Sequence, residues 1–122
     1  HVILRGGKAP NYDAENVEAA CQMIEKAGLD PVVVIDASHA NSVKDPDRQP
    51  AVMKDVSGQM AGGDDRIVGV MIESNLVGGR QELVPGQPLT YGQSITDGCI
   101  DWDTSVTVLE ELAAAVDARR QR

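Results

Sequence analysis

Aromatic side chains are almost missing. Phe does not occur, and Tyr12, Tyr91 and Trp102 bring the aromatic share to only 2%. The core therefore has to be filled by Val, Ile, Leu, Met and Ala. Basic residues are also scarce, with 11 Lys and Arg against 19 Asp and Glu and a net charge of -8. That balance argues against a nucleic-acid or anionic-membrane surface. No apolar run approaches the ~20 residues needed to cross a bilayer. The first residues run straight into a short strand and a Gly-rich loop, so no signal peptide is expected. Only two cysteines occur, Cys21 and Cys99, far apart in sequence, which excludes a CxxC metal or redox motif. Cys21 falls on the apolar face of a predicted helix, where it reads as a small buried hydrophobe. Free thiols and a reducing, cytoplasmic compartment are expected.

What remains is the composition of one ordinary globular domain: 122 residues, 42% hydrophobic and 25% charged. Val2-Ile3-Leu4 reads as a short strand and Arg5 to Tyr12 as a turn-rich loop. Asp13 suits a helix N-cap. Val17, Ala20, Cys21 and Ile24 form one helical stripe, and Gly28 stands where a C′ glycine belongs. Pro31 to Asp36 and Ile67 to Glu73 are apolar and β-branched without alternation, which predicts strands buried on both faces of a parallel sheet. Between them Pro50 opens a second helix with the stripe Val52, Met53, Val56 and Met60. Ser74 to Gln93 is a long loop of the kind that is usually functional. Ser94 to Asp97 is expected as a short fourth strand. Asp101 or Asp103 caps a last helix with the stripe Val108, Leu109, Leu112 and Val116. The order β-α-β-α-β-loop-β-α with right-handed crossovers describes either an open doubly wound sheet or a piece of a (β/α)8 barrel. Four units are half of the ~250 residues of a complete barrel.

The polar residues follow a rule. Arg5 follows the first strand, and Asp36, Ser38 and His39 the second. Glu73 ends the third and Asp97 the fourth. The carboxyl edge of parallel strands is where α/β active sites assemble. His39, Glu73 and Asp97 together offer one imidazole and two carboxylates, a set suited to Mn²⁺, Fe²⁺, Co²⁺ or Zn²⁺. Their spacing matches no local metal motif, and a polar residue at a strand end is more often a cap or a loop anchor than a ligand. Arg5-Gly6-Gly7-Lys8 joins two cations to flexible glycines and is compatible with a phosphate, or with a plain βα turn; it lacks Walker A spacing. A Ser38–His39 nucleophile-base pair is disfavoured, because adjacent residues near a strand end point in different directions.

At these residues the sequence resembles a known family. His1-Val2-Ile3-Leu4-Arg5-Gly6-Gly7-Lys8-Ala9-Pro10-Asn11-Tyr12 is similar to a block of the class I, microbial-type 3-deoxy-D-arabino-heptulosonate 7-phosphate synthases. So are the segments Ile35 to Ser42, Gly69 to Asn75 and Tyr91 to Ile100, in the same order. The resemblance implies an α/β fold, the C-terminal half of a TIM (β/α)8 barrel. Residues 1–122 would be a single partial domain made of its last four βα units. It implies condensation of phosphoenolpyruvate with erythrose 4-phosphate, with release of phosphate, and a need for a divalent metal. It further implies catalytic roles for Arg5, Lys8 and His39, and substrate contacts for Arg5, His39 and Asp97. The metal ligands it implies are His39, Glu73 and Asp97, with Lys8 and Asp36 in supporting positions.

The family's fourth metal ligand, a cysteine of the first barrel strand, has no counterpart here, since Cys21 and Cys99 stand at other positions. The family's Lys-Pro-Arg-Thr motif is likewise absent from the chain. The 122-residue chain is therefore expected to be inactive alone. With the edge strands of an incomplete barrel uncovered, it is expected to associate as a homo-oligomer, or to flatten and cover its open sheet as a doubly wound layer. Two rival readings are a non-catalytic metal-binding or assembly fragment and an acidic hydrolase with an unrelated metal site.

Overall fold

Val2–Leu4 forms strand β1, Val33–Asp36 strand β2 and Ile67–Met71 strand β3, and these three make the only sheet. The computed structural model describes residues 1–122. Helix α1 (Ala14–Lys26) joins β1 to β2, helix α2 (Gln49–Ala61) joins β2 to β3, and helix α3 (Trp102–Arg120) closes the chain. Two short 3₁₀ turns, His39–Ser42 and Pro46–Arg48, lead from β2 into α2.

All pairings are parallel, in the spatial order β1-β2-β3. The order never reverses, so right-handed crossovers put both connecting helices on the same face. Burial agrees. Leu4, Val33, Ile35 and Ile67 point into the core with the helix stripes Val17, Cys21 and Ile24 and Val52, Met53, Val56 and Met60. The opposite face carries Ile3, Val34 and Met71, of which Ile3 is 47% and Met71 45% exposed. The two-sided burial expected for these strands is therefore corrected to one-sided burial. A continuous apolar run marks residues able to be buried on both faces, and helices cover only one of them here.

The helix limits have local causes. Asp13 accepts from the Asn16 N–H at 3.3 Å, and Asp101 accepts from the Thr104 N–H at 2.8 Å, each satisfying a free donor of the first turn. Gly28 ends α1 at a φ of 78°, a conformation glycine adopts without strain. On α3, Val108, Leu112 and Ala115 are buried, but Leu109 turns outward. The helix packs directly on α2, and this contact selects a narrower stripe than the sequence pattern.

The expected fourth strand at Ser94 to Asp97 does not form. Residues 74–100 make only isolated bridges, Ser74 with Ile100, Gly79 with Cys99 and Arg80 with Ser94. Their backbone groups are met by scattered main-chain bonds, such as Val77 N–H to the Gly92 carbonyl and Gln81 N–H to the Ser94 carbonyl, and by side chains. The Gln81 amide donates to the Thr90 and Gln93 carbonyls and accepts from the Thr90 N–H, and the Gln93 amide donates to the Gly78 carbonyl. A ladder needs successive free N–H and C=O groups, and this loop has already used them locally.

Below the sheet, at the amino ends of the strands, Arg66 is held by Asp64 and Glu18 at 2.9 and 2.6 Å. The Arg66 guanidinium holds the Asp64 carboxyl below its ordinary value of 3.8, against the opposing effect of burial. A lowered folded-state value means that Asp64 favours the fold at any pH above the unfolded value. That contribution disappears as pH falls through the folded value. Asp64→Asn is therefore expected to lower the thermal midpoint at neutral pH, with the gap closing as the pH falls through the lowered folded-state value. A gap that stays constant with pH would assign the loss to packing.

Candidate active site

The carboxyl ends of β1, β2 and β3 and the loop before α3 border one cavity of about 610 Å³. Arg5, His39, Glu73 and Asp97 all line it. Lys8 does not; it is exposed farther along the glycine loop. Two cations that sequence reasoning passed over, Lys44 and Arg80, do line the cavity.

Arg5 is placed by backbone hydrogen bonds that a buried amide organises. Asn41 donates through its side chain to the Leu4 carbonyl at 3.0 Å and to the Asp36 carbonyl at 2.8 Å, clamping the ends of β1 and β2 together. Its carbonyl oxygen accepts from the Asn11 N–H at 2.8 Å, and its own N–H donates to the Arg5 carbonyl at 3.2 Å. Gly6 makes the approach possible. Its φ is 83°, and a Cβ there would stand 2.8 Å from the Ala40 carbonyl carbon and the Asn41 nitrogen, closer than any side chain tolerates.

His39 sits at a φ of 55°, a strained value for a non-glycine residue. Asp36, buried at the end of β2, compensates. Its Oδ1 accepts from the Ser38 N–H at 2.8 Å and the Ser38 hydroxyl at 2.5 Å, and its Oδ2 lies 2.9 Å from His39 Nδ1. An ionised carboxylate only accepts, so the imidazole proton resides on Nδ1. The lone pair of Nε2 then faces the cavity, where Glu73 Oε1 stands 4.0 Å away.

The unusual φ also brings Ser38 Oγ within 2.9 Å of His39 Nδ1. The two adjacent side chains do meet, against expectation. The serine hydroxyl is buried and given to Asp36, so it presents no nucleophile to the cavity.

A ring nitrogen of His39, a carboxylate oxygen of Glu73 and one of Asp97 all lie within 4.8 Å of one another. Around one ion with bonds of ~2.1 Å, such atoms sit roughly 3–4.2 Å apart, so small side-chain rotations complete the geometry. An imidazole and two carboxylates gathered this closely are a donor set that fits a divalent cation. Burial first, then repulsion from Asp97, push the Glu73 carboxyl up. Cys99 lies nearby, but burial pushes its thiol up, as it does that of Cys21, and both cysteines are free. No helix is long and apolar enough to cross a membrane.

Asp97 is exposed and owes its place to the loop. Arg80 donates through Nε to the Thr96 carbonyl at 2.7 Å and pairs with Glu82 at 2.7 Å, pinning the residue before Asp97. Arg80 and the buried amides Asn41 and Gln49 could not be singled out by motif. Their only signal is a polar side chain in a short connecting segment, which most loops share.

Comparison with known proteins adds a second line. The family model described as DAHP synthetase I family matches residues 1–110. The chain is 56% identical over 122 residues to a phospho-2-dehydro-3-deoxyheptonate aldolase of Haemophilus influenzae, covering 99% of this chain and 34% of that protein. It is 53% identical to the Phe-sensitive enzyme of that name from Escherichia coli K12, covering 98% of this chain and 34% of that one. A solved structure of phospho-2-dehydro-3-deoxyheptonate aldolase from Francisella tularensis superimposes with a TM-score of 0.92 at 48% identity, covering 98% of this chain and 35% of that one. The chain thus spans about a third of the length of the relatives it matches. Matched over most of its residues by the family model, and over nearly all of them by these relatives, the chain belongs to the DAHP synthetase I family.

Proposed function

We propose that residues 1–122 form part of the barrel domain of an enzyme that condenses phosphoenolpyruvate with erythrose 4-phosphate and releases inorganic phosphate. The observation that carries this reading is the convergence of Arg5, His39, Glu73 and Asp97 on one cavity in a chain of this family. On this reading β1, β2 and β3 are consecutive strands of a (β/α)8 barrel, and the segment around Asp97 leads into its last unit. The unreversed strand order and one-sided helix cover support that reading over a doubly wound sheet.

Arg5 holds the phosphoenolpyruvate phosphate through the planar, two-pronged contact that a guanidinium makes with phosphate oxygens. Lys44 on the cavity wall, and Lys8 farther out on the same loop as Arg5, add positive charge for two phosphorylated substrates. His39, Glu73 and Asp97 hold a divalent ion, Mn²⁺, Fe²⁺, Co²⁺ or Zn²⁺, which supplies Lewis acidity toward an aldehyde oxygen. Asp36 keeps the His39 proton on Nδ1, so that Nε2 remains a donor of its lone pair. Asp97 orients the aldehyde substrate at the rim. A cytoplasmic setting and self-association go with this reading.

Calorimetric titration with Mn²⁺ tests it. Three ligands without a fourth are expected to bind weakly, and His39→Ala is expected to abolish the heat. Tight binding that survives His39→Ala would place the metal elsewhere. With both substrates and Mn²⁺ present, the 122-residue chain is expected to release no phosphate, and turnover would show that its residues suffice.

A further inference from the structure

Gln49 is fully buried, and its whole side chain is spent on one residue. It opens α2 directly after the turn Pro46–Arg48. Its Nε2 donates to the Glu73 carbonyl at 3.0 Å, and its Oε1 accepts from the Glu73 N–H at 2.8 Å. A primary amide carries a donor and an acceptor in one plane, as a peptide group does. Gln49 therefore pairs with Glu73 much as a neighbouring strand would. The position needs such a partner. Met71 is the last residue of β3, and its pairing with Asp36 is the last of the ladder. The Ile100 N–H donates to the same Glu73 carbonyl at 3.0 Å. The main chain of Glu73 is thus held at its carbonyl by two donors and at its N–H by Gln49 alone, while its carboxylate stands 4.0 Å from His39 Nε2. Seating α2 does not require the amide, because Val52, Met53, Val56 and Met60 already bury its apolar face.

We infer that Gln49 is a positioning residue: its amide sets the place and direction of the Glu73 carboxylate, and through it the affinity of the cavity for a divalent cation. The inference rests on the metal reading above. Gln49 touches neither the cation nor a substrate. It acts by withholding from Glu73 the main-chain freedom that the end of a strand ordinarily has.

The test uses the two-histidine content of the chain. With ¹⁵N-labelled histidine only His1 and His39 give imidazole signals, so His39 reports the cavity while His1 reports binding at the terminus. Zn²⁺ is titrated to millimolar concentration. Gln49→Met, similar in length but unable to pair, is expected to weaken Zn²⁺ binding at His39 about tenfold, the low end for loss of a residue that orients a ligand. Gln49→Asn, with the amide drawn back by one methylene, is expected to weaken it in the same direction and decides the matter if the methionine variant does not fold.

In a Glu73→Ala background, Gln49→Met is expected to change the dissociation constant by no more than about twofold, because the residue it acts through is gone. An unchanged constant in both Gln49 variants would overturn the inference. So would an equal loss with and without the Glu73 carboxylate. If Glu73→Ala itself leaves Zn²⁺ binding intact, or no Zn²⁺-dependent shift occurs at His39, the metal reading is what fails.

Discussion

Replacing Ile35 by alanine is expected to cost about 2–5 kcal/mol, the usual range for emptying a fully buried site of this size. Domains of this kind hold only about 5–15 kcal/mol in all. Ile35 is completely buried at the middle of the sheet, paired with Leu4 on one side and Val70 on the other. No backbone element can close over the space, because the residue is enclosed by strands laterally and by helices above. Val34, one residue earlier, points to the uncovered face and is only half-buried. Val34→Ala is expected to cost clearly less. Urea unfolding midpoints of the two variants give the comparison, and equal losses would contradict one-sided cover of the sheet.

Light scattering at micromolar concentration is expected to show the chain associating. The face bearing Ile3, Val34 and Met71 is apolar and uncovered, and Val68, at the irregular pairing between Val33 and Val34, is a further 49% exposed. Fully burying one such side chain is worth about 1.5–3 kcal/mol, so several half-exposed ones together favour contact between copies. β1 and β3 also present unpaired edges. Met71→Lys and Ile3→Lys put a charge on that face without entering the core, and each is expected to shift the population toward monomer. A wild-type chain that stays monomeric and melts sharply at high concentration would mean that the open face is tolerated in water.

The candidate site was legible in outline because it obeys a rule that sequence displays directly. In a parallel sheet the carboxyl ends of all strands lie on one edge, so Arg5, His39 and Glu73 had to arrive together once β1, β2 and β3 were recognised. Asp97 was placed at the same edge for a mistaken reason, as the end of a strand that does not form. It reaches the cavity because Arg80 and the bridges around Gly79 and Cys99 hold the loop there. Lys8 shares the glycine loop with Arg5 yet stays off the cavity wall, because the turn at Gly6 directs only the first of the two cations inward.

The sequence by itself determined the helices, the three strands, their order and the chemical types gathered at one edge. Those properties are local or periodic: a cap is three residues from its donor, a stripe repeats every turn, and β-branched runs favour strands. Tertiary structure alone decided which face of the sheet is covered, which residues of α3 are buried, and how each cavity side chain is held. The contact of Ser38 with His39 depends on a left-handed backbone at His39, which Asp36 stabilises by reaching back across the turn. The roles of Asn41 and Gln49 depend on main-chain groups at Leu4 and Glu73, far along the chain, that strand ends leave unpaired. Such contacts join residues distant in sequence through one or two hydrogen bonds, and no spacing or periodicity records them before the chain has folded.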